Sequence, residues 1–240
     1  MTPLWFALAA ALGNLAGAFA VVRSLRRELR VIDGCLAFGA GFMLAVALLG
    51  VLPVVFHGSE DGDEALFVLL GYLAVHLAQH VFTPHFHFGE ETHRVSPSAG
   101  VSALLGLTLH TFFDGVAIAS GFLVSGELGV LLFLAVLLHK LPEGVTIASV
   151  MVAGGQSRSR ALGAAAVLGL ATIFGVALTE VVAPLARHGL AISAGVTIYV
   201  AASNLVPEFQ AKRGWLSALA FFGGAVGFFL TERLLDIWFR

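Results

Sequence analysis

Eight apolar stretches, each near the length that crosses a bilayer, limit what this chain can fold into more than any other feature. They run roughly over residues 3–22, 33–56, 64–83, 100–123, 128–151, 160–182, 188–206 and 214–236. About 20 apolar residues cross the hydrocarbon core as one α-helix, and a helix satisfies its own backbone groups where no water can. The predicted fold class is therefore all-α: a polytopic membrane protein with eight transmembrane helices in one domain over 1–240. Composition agrees, with 58% hydrophobic and 12% charged residues, more apolar surface than a soluble domain of this size can hide. The weakest boundary separates the sixth and seventh spans, where Pro184, Arg187, His188 and Gly189 supply the only break. The N-terminus lacks the basic segment and small-residue cleavage site of a signal peptide, so 3–22 reads as a retained span. One cysteine, Cys35, excludes an internal disulfide framework and a cysteine-rich metal site.

Within this apolar background two polar stretches are near copies. His110-Thr111-Phe112-Phe113-Asp114-Gly115-Val116-Ala117-Ile118-Ala119-Ser120 and His139-Lys140-Leu141-Pro142-Glu143-Gly144-Val145-Thr146-Ile147-Ala148-Ser149 share the pattern H-x-x-x-(D/E)-G-V-x-I-A-S, offset by 29. An acid four residues after a histidine lies on the same helix face, so each copy presents an imidazole and a carboxylate together. An ionisable group at mid-membrane costs roughly 2.5–3.5 kcal/mol, so Asp114, Lys140 and Glu143 together cost about 9 kcal/mol. That penalty points to function, and neutral imidazole with carboxylate suits zinc, iron(II) or manganese. The plainer reading makes His110 and His139 helix-packing hydrogen-bonders; two matched pairs favour ligands. Pro142 leaves the Leu138 carbonyl without its helical donor and bends the fifth span beside this site. Gly115 and Gly144 read as close helix contacts.

Loop charges set an orientation. With the N-terminus outside, the inner loops hold Arg23, Arg26, Arg27, Arg30, Arg94, Arg158, Arg160, Lys212 and Arg213, against Arg187, Arg233 and Arg240 outside. That bias follows the positive-inside rule and puts both termini outside, in a plasma or inner membrane. The acidic stretch Glu60-Asp61-Gly62-Asp63-Glu64 then faces outward, either as a cation-concentrating mouth or as a solvated loop. After the third span, the loop 84–99 carries His85, His87, Glu90, Glu91 and His93, with His76 and His80 just before it. Such a cluster holds borderline cations or serves as a polar connector, and His80 lies where an exit path would end. A second echo relates Gly41, Leu44, Val46, Ala47 and Pro53 to Gly195, Ile198, Val200, Ala201 and Pro207, all offset by 154. These spans run in opposite directions, the mark of an inverted repeat with its substrate site at the midplane.

Taken together these residues resemble the ZIP (Zrt/Irt-like) family of divalent-metal transporters. The resemblance rests on Phe38 to Pro53 in the second span, the histidine-rich loop after Gly71-Tyr72-Leu73, the two polar motifs, and Tyr199-Val200-Ala201-Ala202-Ser203-Asn204-Leu205-Val206-Pro207-Glu208. It implies passage of zinc or a related ion toward the cytosol, and a primary site on Met43, His110, Asp114, His139 and Glu143. Many members hold a second metal beside the first; here its positions are Thr111, Lys140 and Thr172, none of them a carboxylate, so a mononuclear site is expected. Phe113 stands where the family has proline, Asp114 where glutamate is common, and Gly50 where a polar side chain often marks the outer entrance.

Two rival classes share some of these features. A retinal-type photoreceptor or proton pump would use the buried Lys140 with Asp114 and Glu143, but has seven spans rather than eight. An intramembrane metalloenzyme needs a metal-activated water beside a free base, and the chain has no H-E-x-x-H. Neither explains the internal repeats, so no enzyme activity is expected. The expected partners are a divalent metal ion as cargo and the lipid bilayer. No nucleic acid is expected, no resident cofactor, and a homodimer is the candidate assembly.

Overall fold

The computed structural model describes residues 2–23, 29–57, 62–82, 97–207 and 215–239. His85, His87 and His93 lie outside the described residues, as do the side chain of His80, the loop cations Arg26, Arg27, Arg94, Lys212 and Arg213, and Glu60 and Asp61 of the acidic outer stretch. Among the described residues there is no strand. The helices are α1 (Pro3–Arg23), α2 (Leu29–Ala45), α3 (Leu52–His57), α4 (Glu64–Phe82), α5 (Pro97–Val124), α6 (Gly126–Ala153), α7 (Arg158–Val181), α8 (Ala183–Tyr199) and α9 (Trp215–Phe239). Among the described residues seven segments are long and apolar enough to cross a membrane, and Glu64–Gln79 is a shorter apolar helix. The chain is an all-α polytopic membrane protein. Many large apolar side chains point outward, as a lipid solvent allows: Leu219, Phe222, Phe229 and Leu234 of α9 are exposed. Trp5, Trp215 and Trp238 are 71%, 84% and 81% exposed near helix ends, where amphipathic rings settle at the membrane–water boundary.

Two spans are not simple α-helices. Val46–Val51, between α2 and α3, and Val200–Leu205, after α8, are π-helical. Leu52 N–H donates to the Ala47 carbonyl, and Val206 N–H to the Ala201 carbonyl, each five residues back. The residue following each donor is a proline, Pro53 or Pro207. Proline has no N–H for the usual acceptor four residues back, and the wider turn redistributes the bonds around it. The two π segments are also 154 residues apart, on the echo read from the sequence. The sixth and seventh spans part at one extended residue, Val182 (φ −106°, ψ 103°), with Pro184 in the first turn that follows. The seventh span thus begins at Ala183, ahead of the expected 188, because Arg187 and His188 continue the helix.

The helix packing obeys the same two-fold relation. α2 lies against α9, and α8 lies against α4; α1 lies against α6, and α7 against α5. A Cβ on Gly41 would come 2.0 Å from the Phe221 carbonyl oxygen, and one on Gly195 would come 1.9 Å from that of Val68. Likewise a Cβ on Gly115 or Gly144 would come 2.0 Å from the carbonyl oxygen of Thr172 or Asn14. Only glycine lets the backbones meet at these crossings. Four helix pairs built on matching glycines make an inverted repeat in three dimensions.

Candidate metal centre

The hairpin of α5 and α6 builds the centre. Its one-residue link, Ser125, is extended and caps α6 by accepting the Leu128 N–H through its hydroxyl at 3.0 Å. Gly129 lies so close to the Phe122 ring that a Cβ there would meet it at 2.4 Å, which fixes the register of the two helices. Residues equally distant from Ser125 then share a depth, so His110 and Thr111 oppose Lys140 and His139. Asp114 lies nearer the hairpin end and Glu143 farther from it.

His110, Asp114, His139 and Glu143 are all buried, and each offers one ligand atom within 4.8 Å of the others. The Asp114 Oδ2 is 3.5 Å from His110 Nε2 and 3.2 Å from His139 Nε2, and the imidazole centroids are 5.3 Å apart. His139 Nδ1 donates to the Ala135 carbonyl at 2.9 Å. A carbonyl only accepts, so Nδ1 carries a proton, and in a neutral ring the lone pair sits on Nε2, which points at the Asp114 carboxylate. Two lone-pair atoms facing each other at that distance require a proton or a cation between them. A backbone bond that sets the tautomer in this way is the usual support of a metal-binding histidine.

Lys140 is 0% exposed. Its ammonium donates to Asp114 Oδ2 at 2.6 Å and to Glu143 Oε2 at 2.7 Å, so it bridges the two acids. Thr111 donates its hydroxyl to the other Glu143 oxygen, Oε1. Counting both acids as carboxylates and the lysine as ammonium, the formal charge of the centre is −1 before any proton or cation enters between His139 and Asp114. Thr172 is buried and its hydroxyl donates within α7, to the Leu168 carbonyl at 3.5 Å. Met43 is 1% exposed and belongs to the largest apolar cluster.

In the sequence Thr111 marks only a missing second-metal ligand, and its bond to Glu143 leaves no sign there. Asn14 is a further residue absent from the sequence-based site, fully buried in α1 with neither amide atom hydrogen-bonded. A signal was present: Asn14 is the one polar side chain, tryptophan apart, in the apolar run 3–22. Away from the centre, His76 stands edge-on to Tyr199 at 5.7 Å, and Tyr72 shares a 3.2 Å hydroxyl contact with Ser203, tying α4 to the seventh span.

Comparison with known families matches residues 89–234, more than half of the chain, to the family model described as ZIP Zinc transporter. No curated protein matched the chain. The matched segment contains both histidine–acid motifs and the π segment of the seventh span.

Proposed function

The chain belongs to the ZIP zinc transporter family, and from that premise we propose that it carries zinc toward the cytosol by alternating access through one mononuclear site. It is an integral membrane protein, and its family moves divalent metal ions. Iron, manganese and cadmium are the related ions that the same donors accept. The observation that carries the proposal is the convergence of His110, Asp114, His139 and Glu143, four ligand atoms within 4.8 Å at the middle of the two matched spans. Two imidazole nitrogens and two carboxylate oxygens make a four-coordinate set for zinc. Met43, which the family resemblance adds, supplies a thioether from the second span.

Lys140 supports the mononuclear reading. One divalent ion takes the centre from −1 to +1. A second divalent ion about 4 Å from the ammonium would be repelled by roughly 8 kcal/mol even at an effective dielectric near 20. The proposed direction, with both termini outside, rests on the loop cations, of which Arg23, Arg158 and Arg160 lie at the ends of α1 and α7.

The deciding experiment is zinc uptake into sealed proteoliposomes with competing divalent ions. The expected outcome is saturable uptake that falls at least tenfold in both His139→Ala and Glu143→Ala, with detergent-solubilised protein still monodisperse. Uptake at the parent rate in both variants would place the site elsewhere.

A further inference from the structure

Any ion that binds between Asp114 and Glu143 meets an occupant. The Lys140 ammonium already holds Asp114 Oδ2 at 2.6 Å and Glu143 Oε2 at 2.7 Å, and Asp114 Oδ2 is also the oxygen facing both histidines. A divalent ion and an ammonium cannot share it at these distances without strong repulsion. Lys140 is completely buried, so its ammonium has no water to retreat into. Metal entry therefore requires a second acceptor inside the protein, within reach of a lysine side chain.

Four buried side chains among the described residues carry polar atoms without a hydrogen bond: Asn14, His110, Ser120 and His188, and of these His188 faces Glu64 at 3.4 Å. His110 is itself a ligand. Ser120 lies ten residues toward the hairpin, where a Cβ on Gly189 would meet its hydroxyl at 2.7 Å, so it faces the seventh span. Asn14 remains, and both of its amide atoms are unpartnered. Its helix is pressed on the turn that carries Lys140. A Cβ on the neighbouring Gly13 would lie 3.1 Å from Lys140 Cβ, and one on Gly144 would lie 2.0 Å from the Asn14 carbonyl oxygen.

The two-fold relation independently brings Asn14 to the same place. Its mate, 158 residues on, is Thr172, just as Gly17 pairs with Gly175 against Leu141 and Phe112. Under the same operation Lys140 pairs with Thr111 and Glu143 with Asp114. Asn14 therefore flanks the Lys140–Glu143 side of the centre as Thr172 flanks the Thr111–Asp114 side. Apolar clusters lie beyond it in both directions along α1, around Ala7 and Ala10 on one side and Ala18 on the other.

We propose that the Asn14 side-chain carbonyl is the acceptor that receives the Lys140 ammonium when a divalent ion takes Asp114 and Glu143. Lys140 then alternates between two docked states: on the acids while the site is empty, on Asn14 while it is loaded. It serves as a tethered counter-cation that refills the carboxylates as the metal leaves. This inference rests on the transport site proposed above.

The test is a double-mutant cycle on the full-length protein in detergent, read as zinc affinity by calorimetry. Removing the acceptor in Asn14→Leu is expected to weaken zinc binding about tenfold, the worth of one hydrogen bond to a charged group. In a Lys140→Met background the same change is expected to have little effect, since no ammonium needs a place. Asn14→Asp is expected to strengthen zinc binding when Lys140 is present, by drawing the ammonium off the acids, and it covers the case in which Asn14→Leu does not fold. Equal weakening by Asn14→Leu in both backgrounds would make Asn14 a packing residue and overturn the proposal, as would unchanged affinity with Lys140 present. Parent protein that binds no zinc would instead bring down the site itself, an outcome distinct from additive effects on a site that binds.

Discussion

At the scale of single residues, the centre is set by what each side chain is denied. Asp114 and Glu143 are buried, so their charge is met by Lys140, and for Glu143 also by the Thr111 hydroxyl. If the ammonium is what keeps a second metal out, replacing it with an acid changes the charge count from −1 to −3. Lys140→Asp is then expected to bind two zinc equivalents where the parent binds one, measured by elemental analysis after gel filtration with the loop 84–99 deleted. Two equivalents on the loop-deleted parent would show that the lysine excludes nothing. Thr111→Val removes one hydrogen bond from Glu143 without changing charge. Its expected cost is a loss of zinc affinity of about threefold to tenfold, and unaltered affinity would mean that Glu143 needs no such support. The grouping of His110, Asp114, His139 and Glu143 was legible because imidazole and carboxylate at i and i+4 stand out against an apolar run. The Thr111–Glu143 bond was not, since it joins two helices in a register that depends on Gly129 and Phe122. Asn14 was not either, because a single amide in an apolar helix becomes informative only once its neighbours across the interface are known.

At the scale of elements, length and hydropathy were enough to place most of the helices, since a lipid-facing segment must be apolar throughout and end where polar residues begin. They were not enough to place the π segments, which differ from α-helix by where the bonds fall and leave no mark in hydropathy. Pro53 and Pro207 carried that information, although only the spacing of 154 hinted that they act alike. What holds the elements together is backbone contact at glycines. A Cβ on Gly115 or Gly144 would run into a carbonyl oxygen at 2.0 Å, and a backbone cannot rotate aside as a side chain can. Gly115→Ala and Gly144→Ala are each expected to lower stability by about 1–3 kcal/mol, seen as a clear fall in the thermal midpoint in detergent. Gly163, also helical, has nothing within 4 Å of its built Cβ, so Gly163→Ala is expected to be neutral or slightly stabilising from helix propensity. Equal midpoints for all three would show that the crossings relax more easily than this packing allows.

For the whole molecule, the inverted repeat gives the centre two chemically similar approaches, and only orientation in the membrane decides which acid an ion meets first. The α5–α6 hairpin turns at Ser125, with Asp114 on its side of the histidines and Glu143 on the other. The link between α6 and α7 lies at the opposite end, where Gly155 adopts φ +79° and Ser157 accepts the Arg160 N–H to start α7. Arg158 and Arg160 sit at that end, and positively charged loops are retained on the cytoplasmic side. The proposed orientation puts the hairpin end outward, with Asp114 ahead of Glu143 on the path of an incoming ion. Cys35 is the only native cysteine, so a Cys35→Ser background permits single-cysteine labelling with a membrane-impermeant thiol reagent. Ser125 is exposed, and Gln156 is partly so. Ser125→Cys is expected to label on intact cells, whereas Gln156→Cys is expected to label only after permeabilisation. Added zinc is not expected to change either pattern, because neither position is near the centre. The reverse pattern would turn the molecule over, make Glu143 the first acid on the outer path, and require the ion to leave past Asp114.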